Sequence, residues 1–426
     1  MPDLQPDIGS GDALIIVPPF ASTTMPSLAA HLLQSCARRE GYQVKVLYAN
    51  LIFAAEIGQL NYEALSRGSL QYMLGERLFC SKAYGLPPFG RDDFFTRVKG
   101  AQLTVNNNNI CVDLKVADLA EWESVAHSWV DKVCCAVAQQ QFRVVGCTST
   151  FEQTSASIAL LNRIKQLSPD TITVLGGANC EGEMGEGILT LGANVDYVFS
   201  GESEKTFPAF LGRLAAGDYP RDRIVSGQPC FNLDDLPAPE YAEFFQQRQR
   251  WLSNAELGER ENLWVTYESS RGCWWGQKHH CTFCGLNGET MSYRQKSAQR
   301  LLSDVKTLVS ASPTKRVCMT DNILPHNYFR SFLPRAPEEI PGVTFFYEVK
   351  ANLSLQDVMT LKQAGVKMAQ PGIESLSNAC LQLMKKGVSA QQNISCCATP
   401  GPWACGWAGT FSTPCPATNW WSIKRP

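Results

Sequence analysis

The chain carries few charges and lacks any long run of apolar residues. Charged residues make up 18% of the 426 residues, and the net charge is −2 at pH 7. This balance gives no electrostatic basis for binding nucleic acid or an anionic membrane surface. No stretch of about 18 apolar residues occurs, so hydropathy predicts no membrane-spanning helix. Residues 1–7 lack the basic region of a signal or transit peptide, and we therefore expect a cytoplasmic protein.

Cysteine, by contrast, is abundant. The chain has 17 cysteines, and most are scattered singly through predicted strands and helices, as Cys36, Cys80 and Cys147 are. Small secreted proteins instead concentrate their cysteines in a disulfide framework. We interpret most of them as reduced core residues, which agrees with a cytoplasmic location.

The first part of the chain has the pattern of a doubly wound (Rossmann-like) α/β domain. Continuous apolar runs such as residues 13–17 are typical of parallel strands buried on both faces, and they alternate with amphipathic helical stretches. We place this domain at residues 9–215, with a helical insertion at residues 52–140. Within the insertion, Trp122 and Trp129 lie on one face of a predicted helix and are predicted to be core residues.

Small and polar residues follow three predicted strands of this domain. Doubly wound sheets bind ligands beyond the carboxyl ends of their strands. Because any such domain has small residues there, these positions indicate a binding edge without identifying its ligand. They are Thr148 and Ser149 after the third strand, Gly176 and Gly177 after the fourth, and Gly201 and Glu202 after the fifth.

A second domain follows a stretch that is rich in proline, charge and glutamine. We interpret residues 216–262 as a linker and residues 263–390 as a partial β/α barrel with four strand–helix repeats. Barrel chemistry is located at the carboxyl ends of the strands, where Asp321, Glu348 and Glu374 occur. Each carboxylate alone is more often a solvated strand end or a helix cap, but together on one rim they indicate a site.

The most informative stretch follows the first strand of this second domain. Cys273, Cys281 and Cys284 are spaced C-x7-C-x2-C in a loop flanked by glycines. Iron–sulfur clusters usually take four cysteine ligands. Three thiols could therefore hold such a cluster and leave one iron open to another ligand. Two other interpretations stay open from the spacing alone: a structural zinc site completed by His279 or His280, and three buried thiols without a metal.

This loop resembles the cluster loop of the radical S-adenosylmethionine (SAM) superfamily. Most members have C-x3-C-x2-C, whereas Arg-Gly-Cys-Trp-Trp-Gly before His-His-Cys-Thr-Phe-Cys-Gly is similar to one subgroup, the cobalamin-domain proteins that C-methylate ribosomally synthesised peptides. The resemblance implies a [4Fe-4S] cluster ligated by Cys273, Cys281 and Cys284, with SAM on the fourth iron. The SAM contacts that it implies include Phe283 and Glu374, and with Gly285 and the strand-end carboxylates Asp321 and Glu348 they form the predicted SAM site.

For the first domain, the resemblance implies cobalamin binding. The order of elements, ending in Ser200-Gly201-Glu202 after the fifth strand, is similar to the cobalamin domain of this subgroup. The D-x-H-x-x-G signature that supplies an axial histidine in other cobalamin proteins is absent, as it often is in radical SAM relatives. The implied cobalamin contacts are Thr148, Ser149, Gly176, Gly177, Gly201 and Glu202.

The resemblance also implies an activity and its partners. A 5′-deoxyadenosyl radical formed from SAM would remove hydrogen from a carbon of a precursor peptide, and methylcobalamin would methylate that carbon during natural-product maturation. The expected partners are this ribosomally synthesised peptide and an electron donor such as flavodoxin or ferredoxin, with neither nucleic acid nor membrane. Three alternatives stay open: a radical SAM enzyme without methyl transfer, an inactive truncated remnant, and a zinc-stabilised binding protein.

The end of the chain differs in composition from the rest. From Ser375 onward there is no Asp or Glu, and residues 391–426 are rich in Cys, Trp and Pro. A complete radical SAM barrel has six strands, and four are predicted here. We therefore expect residues 391–426 to be off-frame translation after a frameshift near residue 394, or disordered. A metal-binding tail built on its cysteines is the rival hypothesis.

Overall fold

The computed structural model describes residues 4–68, 73–89, 102–105, 110–113, 116–253, 263–285 and 291–398. The chain divides into two compact units. The first comprises Met1–Cys230 with Leu236–Asn262, and the second comprises Phe231–Asp235 with Leu263–Pro426.

A six-stranded parallel sheet forms the centre of the first unit. Its strands are β1 (Ala13–Ile16), β2 (Val44–Leu47), β5 (Val144–Thr148), β6 (Ile172–Gly176), β7 (Tyr197–Ser200) and β8 (Ile224–Ser226). They lie in the order β2-β1-β5-β6-β7-β8, and every pairing is parallel. Because β2 and β5 lie on opposite sides of β1, the direction of sheet growth reverses between β1 and β5. Doubly wound sheets bind their ligands at such a reversal.

Helices and one separate hairpin complete the first unit. The antiparallel hairpin pairs β3 (Gln102–Val105) with β4 (Ile110–Asp113). The helices are α1 (Gln5–Ile8), α2 (Leu28–Arg39), α3 (Ala49–Ile57), α4 (Gln59–Glu63), α5 (Leu74–Tyr84), α6 (Val116–Ala138), α7 (Thr154–Leu167), α8 (Glu183–Leu191), α9 (Thr206–Ala215) and α10 (Ala242–Trp251), with a π-helical turn at Ala64–Gly68 and a 3₁₀ turn at Ala178–Cys180.

The predicted insertion contributes an aromatic core. Trp122 and Trp129 of α6 are both buried, as helical spacing predicts. The Trp129 ring packs edge-on against Phe53 and Phe79, with ring centroids 5.3 Å and 5.8 Å away. Edge-to-face contacts of this kind stabilise a core beyond the area that they bury.

The predicted linker, residues 216–262, contains ordered elements of the first unit. Residues 224–226 form β8, which pairs with β7, and α10 buries Phe244 in the core of the same unit. The Gln247 side chain accepts a hydrogen bond from the N–H of Tyr48 at 2.7 Å and donates one to the carbonyl of Val46 at 2.8 Å. A three-residue strand and a Gln-rich helix show too little apolar periodicity for the sequence to predict them.

The second unit contains a four-stranded parallel sheet. Its strands are β9 (Val265–Tyr267), β12 (Arg316–Met319), β13 (Thr344–Lys350) and β14 (Val366–Gly372), in the order β14-β13-β12-β9. Its helices are α11 (Gly276–His279), α12 (Ala298–Ser310), α13 (Tyr328–Ser331), α14 (Ala336–Glu339), α15 (Leu355–Gln363), α16 (Asn378–Leu383) and α17 (Ala390–Ala398), and a 3₁₀ turn spans Leu233–Asp235. Ser297 caps α12 as predicted, since its side chain accepts a hydrogen bond from the N–H of Arg300.

The start of the predicted aberrant tail is helical. α17 buries Ala390, Asn393 and Cys396. The Asn393 side-chain amide donates hydrogen bonds to the carbonyls of Ile373 (2.7 Å) and Ser375 (2.8 Å), just after β14. The order of residues 391–398 therefore differs from the expectation, while residues 399–426 lie outside the described part of the chain.

None of the helices in the described segments is both long and apolar enough to cross a membrane.

Two carboxylates lie at the junction between the starts of α5 and α7. Glu76 of α5 accepts hydrogen bonds from the N–H groups of Thr154 (3.0 Å) and Ser155 (2.6 Å) at the start of α7. Glu152, which is 4% exposed, lies just before α7. Burial raises the pKa of Glu152 from 4.5 to about 7; the backbone N–H of Gly75 lowers this pKa, and Glu76 raises it.

We predict that Glu152→Gln stabilises the protein at alkaline pH. Because the folded-state pKa of Glu152 is raised, its protonated form favours folding below pH 4.5, and this stability is lost as pH rises through about 7. The variant cannot ionise, so its free energy of unfolding should exceed that of the wild type by about 1 to 3 kcal/mol above pH 7 and match it at low pH. Urea unfolding across this pH range measures the difference.

Glu76→Gln is the matched control, and we expect the opposite sign. A neutral amide is a weaker acceptor than a carboxylate at a helix N-terminus, so this variant should be less stable than the wild type at neutral pH. Destabilisation by Glu152→Gln at about pH 8 would contradict the buried-carboxylate interpretation.

Candidate functional site

The candidate site lies at the carboxyl edge of the second unit's sheet. Its four parallel strands end at the same edge, and the loop that leaves β9 carries the three predicted cluster ligands. This loop first forms an antiparallel ladder of two short strands, β10 (Ser270–Arg271) and β11 (Arg294–Gln295). It then turns at Gly272, where φ is +74° and an added Cβ would lie 2.4 Å from the carbonyl oxygen of Ser292. Only glycine fits this close approach.

A buried carboxylate holds the start of the loop. Asp321, just after β12, accepts hydrogen bonds from the N–H groups of Ser269 (2.6 Å) and Ser270 (3.0 Å) and from the Ser269 hydroxyl. Burial raises the pKa of Asp321 to about 7, although the hydrogen bonds from both serines lower it. Asp321 is a predicted SAM contact, but its carboxylate is buried and accepts hydrogen bonds from the loop's own backbone. A contact with SAM stays a prediction.

The three thiols are neighbours on the loop. The Cys281 thiol is buried and donates to the carbonyl of Lys385 at 3.9 Å. Burial raises the pKa of Cys281; Lys386 lowers this pKa, and Cys273 and Cys284 raise it. The Cys281 sulfur therefore lies within electrostatic range of the other two cysteines.

The described conformation does not close a metal site. Across the described residues, no three His, Cys, Asp or Glu side chains are grouped closely enough to hold a metal ion. The His279 ring stacks on Trp275 with centroids 4.1 Å apart, and His280 Nε2 lies 3.2 Å from the Cys284 carbonyl oxygen. Three soft thiols on one loop are nevertheless the donor set that an iron–sulfur cluster takes. Ligation by the three cysteines stays a prediction.

Lys350, the last residue of β13, lies beside this loop. Its Nζ donates a hydrogen bond to the carbonyl of Gly387 at 3.1 Å and lies 3.0 Å from the centroid of the Trp275 ring. Burial lowers the pKa of Lys350 to about 8, and Cys281 raises it. The site thus contains a buried cation that an aromatic ring and a carbonyl stabilise.

Lys386 brings several predicted SAM contacts together. Its Nζ forms an ion pair with Glu374 at 2.8 Å and lies 5.4 Å from the centroid of Phe283, which is half exposed. Burial raises the pKa of Glu348; Lys386 lowers this pKa and Glu374 raises it. Gly285 is less constrained, because an added Cβ would meet no atom of the described residues within 4 Å. Lys386, which the sequence pattern did not identify, therefore contacts Glu374 and Phe283 and lies within electrostatic range of Glu348.

The carboxyl edge of the first unit is built by contacts between neighbouring loops. The N–H of Ser149 donates to the carbonyl of Gly176 at 2.7 Å, and the Ser149 carbonyl accepts from the N–H of Asn179 at 3.2 Å. Gly177 has φ of +126°, and an added Cβ would lie 2.4 Å from the Ser149 carbonyl oxygen. Glycine at this position thus lets the loops after β5 and β6 touch.

The other predicted cobalamin contacts lie along the same edge. The Thr148 hydroxyl donates to the Gln153 side chain at 3.3 Å, and the Glu202 carboxylate accepts from the N–H of Cys230 at 2.9 Å. Gly201 has φ of +84°. Phe151, which was not among the predicted contacts, presents an 84% exposed ring on the loop after β5. Contacts between these residues and cobalamin stay predictions.

Comparison with known proteins identifies the fold. The cobalamin-dependent SAM radical enzyme OxsB, solved with aqua-cobalamin bound, matches with a TM-score of 0.59 and 14% identity over 92% of this chain and 48% of OxsB. TsrM from Kitasatospora setae, a radical SAM methyltransferase solved with cobalamin and a [4Fe-4S] cluster, matches with a TM-score of 0.56 and 13% identity over 90% of this chain and 66% of TsrM. The chain has the fold of cobalamin-dependent radical SAM enzymes.

A curated protein also matches by sequence. An uncharacterised methyltransferase of Pyrococcus horikoshii, PH0819, is 22% identical over 285 residues, which cover 63% of this chain and 59% of that protein. The chain therefore spans about half of OxsB and 59% of this relative. No family model matches the chain.

We predict that Gly387→Ala disrupts the packing of Trp275. An added Cβ would lie 1.9 Å from Cζ2 of Trp275, and φ at Gly387 is +65°. The free energy of unfolding should fall by about 2 kcal/mol more than for Gly342→Ala, which has a similar φ of +77° but no atom closer than 3.9 Å. Urea unfolding measures both, and iodoacetamide labelling of Cys281 should become faster only in Gly387→Ala. Equal losses in the two variants would contradict the predicted packing.

Proposed function

We propose that the chain is a cobalamin-dependent radical SAM enzyme that methylates a carbon of a ribosomally synthesised peptide. The observation that carries the proposal is the cysteine loop at the carboxyl edge of a parallel β/α sheet, where Cys281 lies within electrostatic range of the other two cysteines and of Lys350 and Lys386. The fold, shared with OxsB and TsrM, supports it. The choice of a peptide substrate is supported by the resemblance of the loop's sequence.

Cys273, Cys281 and Cys284 would hold the cluster in this proposal. When bound, the cluster and SAM supply a 5′-deoxyadenosyl radical, and cobalamin supplies the methyl group. The chain contributes binding, orientation and exclusion of water. Cys281 is already buried, and the Trp275 ring packs against Lys350.

The two lysines adjust the charge around the loop. Burial raises the pKa of Cys281, and Lys386 and Lys350 each lower it, so the lysines offset part of the cost of forming the thiolate, which is the form that binds a metal. Lys386 is itself neutralised by Glu374 at 2.8 Å. A zwitterionic cosubstrate such as SAM has an amino and a carboxylate group, and the Glu374–Lys386 pair offers a complementary charge to each.

The first unit would hold cobalamin at the carboxyl edge of its sheet. The loops after β5 and β6 form a joined surface through Ser149 and Gly177, and the exposed ring of Phe151 offers an apolar face to a large flat ligand.

A radical SAM enzyme that modifies its peptide without methyl transfer is distinguished by product mass, because methylation adds one methylene unit. A flavodoxin or ferredoxin would supply the electron.

We predict that the wild-type chain takes up iron and sulfide and that Cys281→Ala does not. After anaerobic reconstitution, the wild type should contain about four irons and four sulfides per chain. Cys281→Ala should lose most of both, because two thiols cannot hold the cluster. Cys380→Ala, at an exposed cysteine in the same unit, is the matched control and should load like the wild type. Zinc in place of iron, or equal loading of both variants, would refute the cluster assignment.

We predict that Gly177→Ala weakens cobalamin binding. The added methyl group would force the Ser149 loop away, since only 2.4 Å separates it from the Ser149 carbonyl oxygen. The dissociation constant for hydroxocobalamin, followed by its visible absorption, should rise about tenfold or more. Gly217→Ala has a positive φ of +77° and open space around it, and it should bind like the wild type. An unchanged dissociation constant in Gly177→Ala would argue against binding at this edge.

A further inference from the structure

Asp321, just after β12, accepts three hydrogen bonds from the residues at which the cysteine loop begins. Both of its carboxylate oxygens accept hydrogen bonds from the loop: Oδ1 from the N–H groups of Ser269 and Ser270, and Oδ2 from the Ser269 hydroxyl. The side chain is 1% exposed. A carboxylate in this situation is a strong acceptor for a fixed partner, because water does not compete with the serines.

The peptide that Asp321 holds is also fixed from its other side. The carbonyl of Ser269 accepts hydrogen bonds from the N–H of Lys296 at 2.8 Å and from the Tyr328 hydroxyl at 3.4 Å. The same Tyr328 hydroxyl lies 2.8 Å from the Lys296 carbonyl oxygen. The N–H and the carbonyl of Ser269 are therefore both hydrogen-bonded, to groups from different parts of the unit. These bonds fix the course of the backbone at Ser269.

That path leads directly to the first thiol. Ser270 and Arg271 pair with β11, and Gly272 makes its close approach to Ser292 immediately before Cys273. A shift at Ser269 is therefore transmitted through three residues that have little freedom to absorb it. The position of Cys273 relative to Cys281 and Cys284 thus depends on where the loop leaves β9.

We infer that Asp321 is a positioning residue that fixes the entrance of the cysteine loop and so sets the place of Cys273, rather than a residue that contacts SAM. This inference rests on the proposed function for its link to cluster loading. Its physical core, the hold of Asp321 on Ser269 and Ser270, is independent of any cofactor and can be measured in the metal-free chain.

The test compares Asp321→Ala with Asp357→Ala. Asp357 accepts hydrogen bonds from the N–H and hydroxyl of Ser354 at the start of α15, so the control also removes a bonded carboxylate in the same unit. In the metal-free protein, hydrogen exchange of the Ser269 and Ser270 amides should accelerate about tenfold or more in Asp321→Ala and stay at the wild-type rate in Asp357→Ala. Iron and sulfide uptake under reconstitution should fall at least about threefold in Asp321→Ala alone.

Ser269→Ala provides a milder variant in case Asp321→Ala folds poorly. It removes the hydroxyl donor to Asp321 and keeps both backbone donors, so its effect on exchange at Ser270 should be smaller than that of Asp321→Ala. Because both changes act on one interaction, the double variant should exchange no faster than Asp321→Ala alone. A variant that melts at the wild-type midpoint but takes up less iron and sulfide has lost positioning of the loop. A variant that loses uptake together with a lowered midpoint is destabilised in general.

The outcomes decide between the two roles. Unchanged exchange at Ser269 and Ser270 in Asp321→Ala would overturn the inference. So would wild-type iron and sulfide content with weakened SAM binding, which is the result expected of a direct SAM contact. If the wild type itself takes up no iron or sulfide, the proposed function fails, whereas the exchange rates still decide whether Asp321 holds the loop.

Discussion

Parallel pairing of short buried strands determines where chemistry can occur in both units. It brings the carboxyl ends of all strands of a sheet to one edge, so that loops distant in sequence become neighbours. In the first unit, Ser149 and Gly177 meet in this way, and in the second unit Asp321 reaches across to Ser269. In each case, the loop after one strand is bonded to the loop after the neighbouring strand of the same sheet.

The site of the second unit balances burial against charge. Burial disfavours thiolates and ammonium groups alike, and it raises the pKa of Cys281 while lowering that of Lys350. Placing the two kinds of group together offsets part of both penalties. Trp275 adds a ring face against Lys350, and Glu374 neutralises Lys386. Lys386 and Lys350 thus offset part of the burial penalty on the thiolate of Cys281.

Long apolar runs and the cysteine spacing carried most of what the sequence predicted. The α/β fold with two parallel sheets, the buried Trp122 and Trp129, and the cap at Ser297 all agree with the structure. β8 was missed because three residues show no period, and α17 was missed because its buried face includes Asn393. Lys386 follows no motif, and only the folded chain shows that it lies beside Glu374.

Asp321 shows why strand-end carboxylates are hard to assign from sequence. Its position after β12 is equally compatible with a ligand contact and with a bond to the neighbouring loop. Which of these occurs depends on the path of the chain after β9, and that path is set by Gly272 and the ladder with β11. The residues around Asp321 in the sequence show neither the close approach at Gly272 nor the pairing with β11.

The most direct test of the central claim is electron paramagnetic resonance of the anaerobically reconstituted, dithionite-reduced chain, recorded with and without SAM. If the cysteine loop holds a cluster with one open iron, the reduced protein should give the signal of a single [4Fe-4S] centre whose g values shift when SAM is added. A silent, zinc-containing protein, or a cluster signal that SAM leaves unchanged, would contradict it.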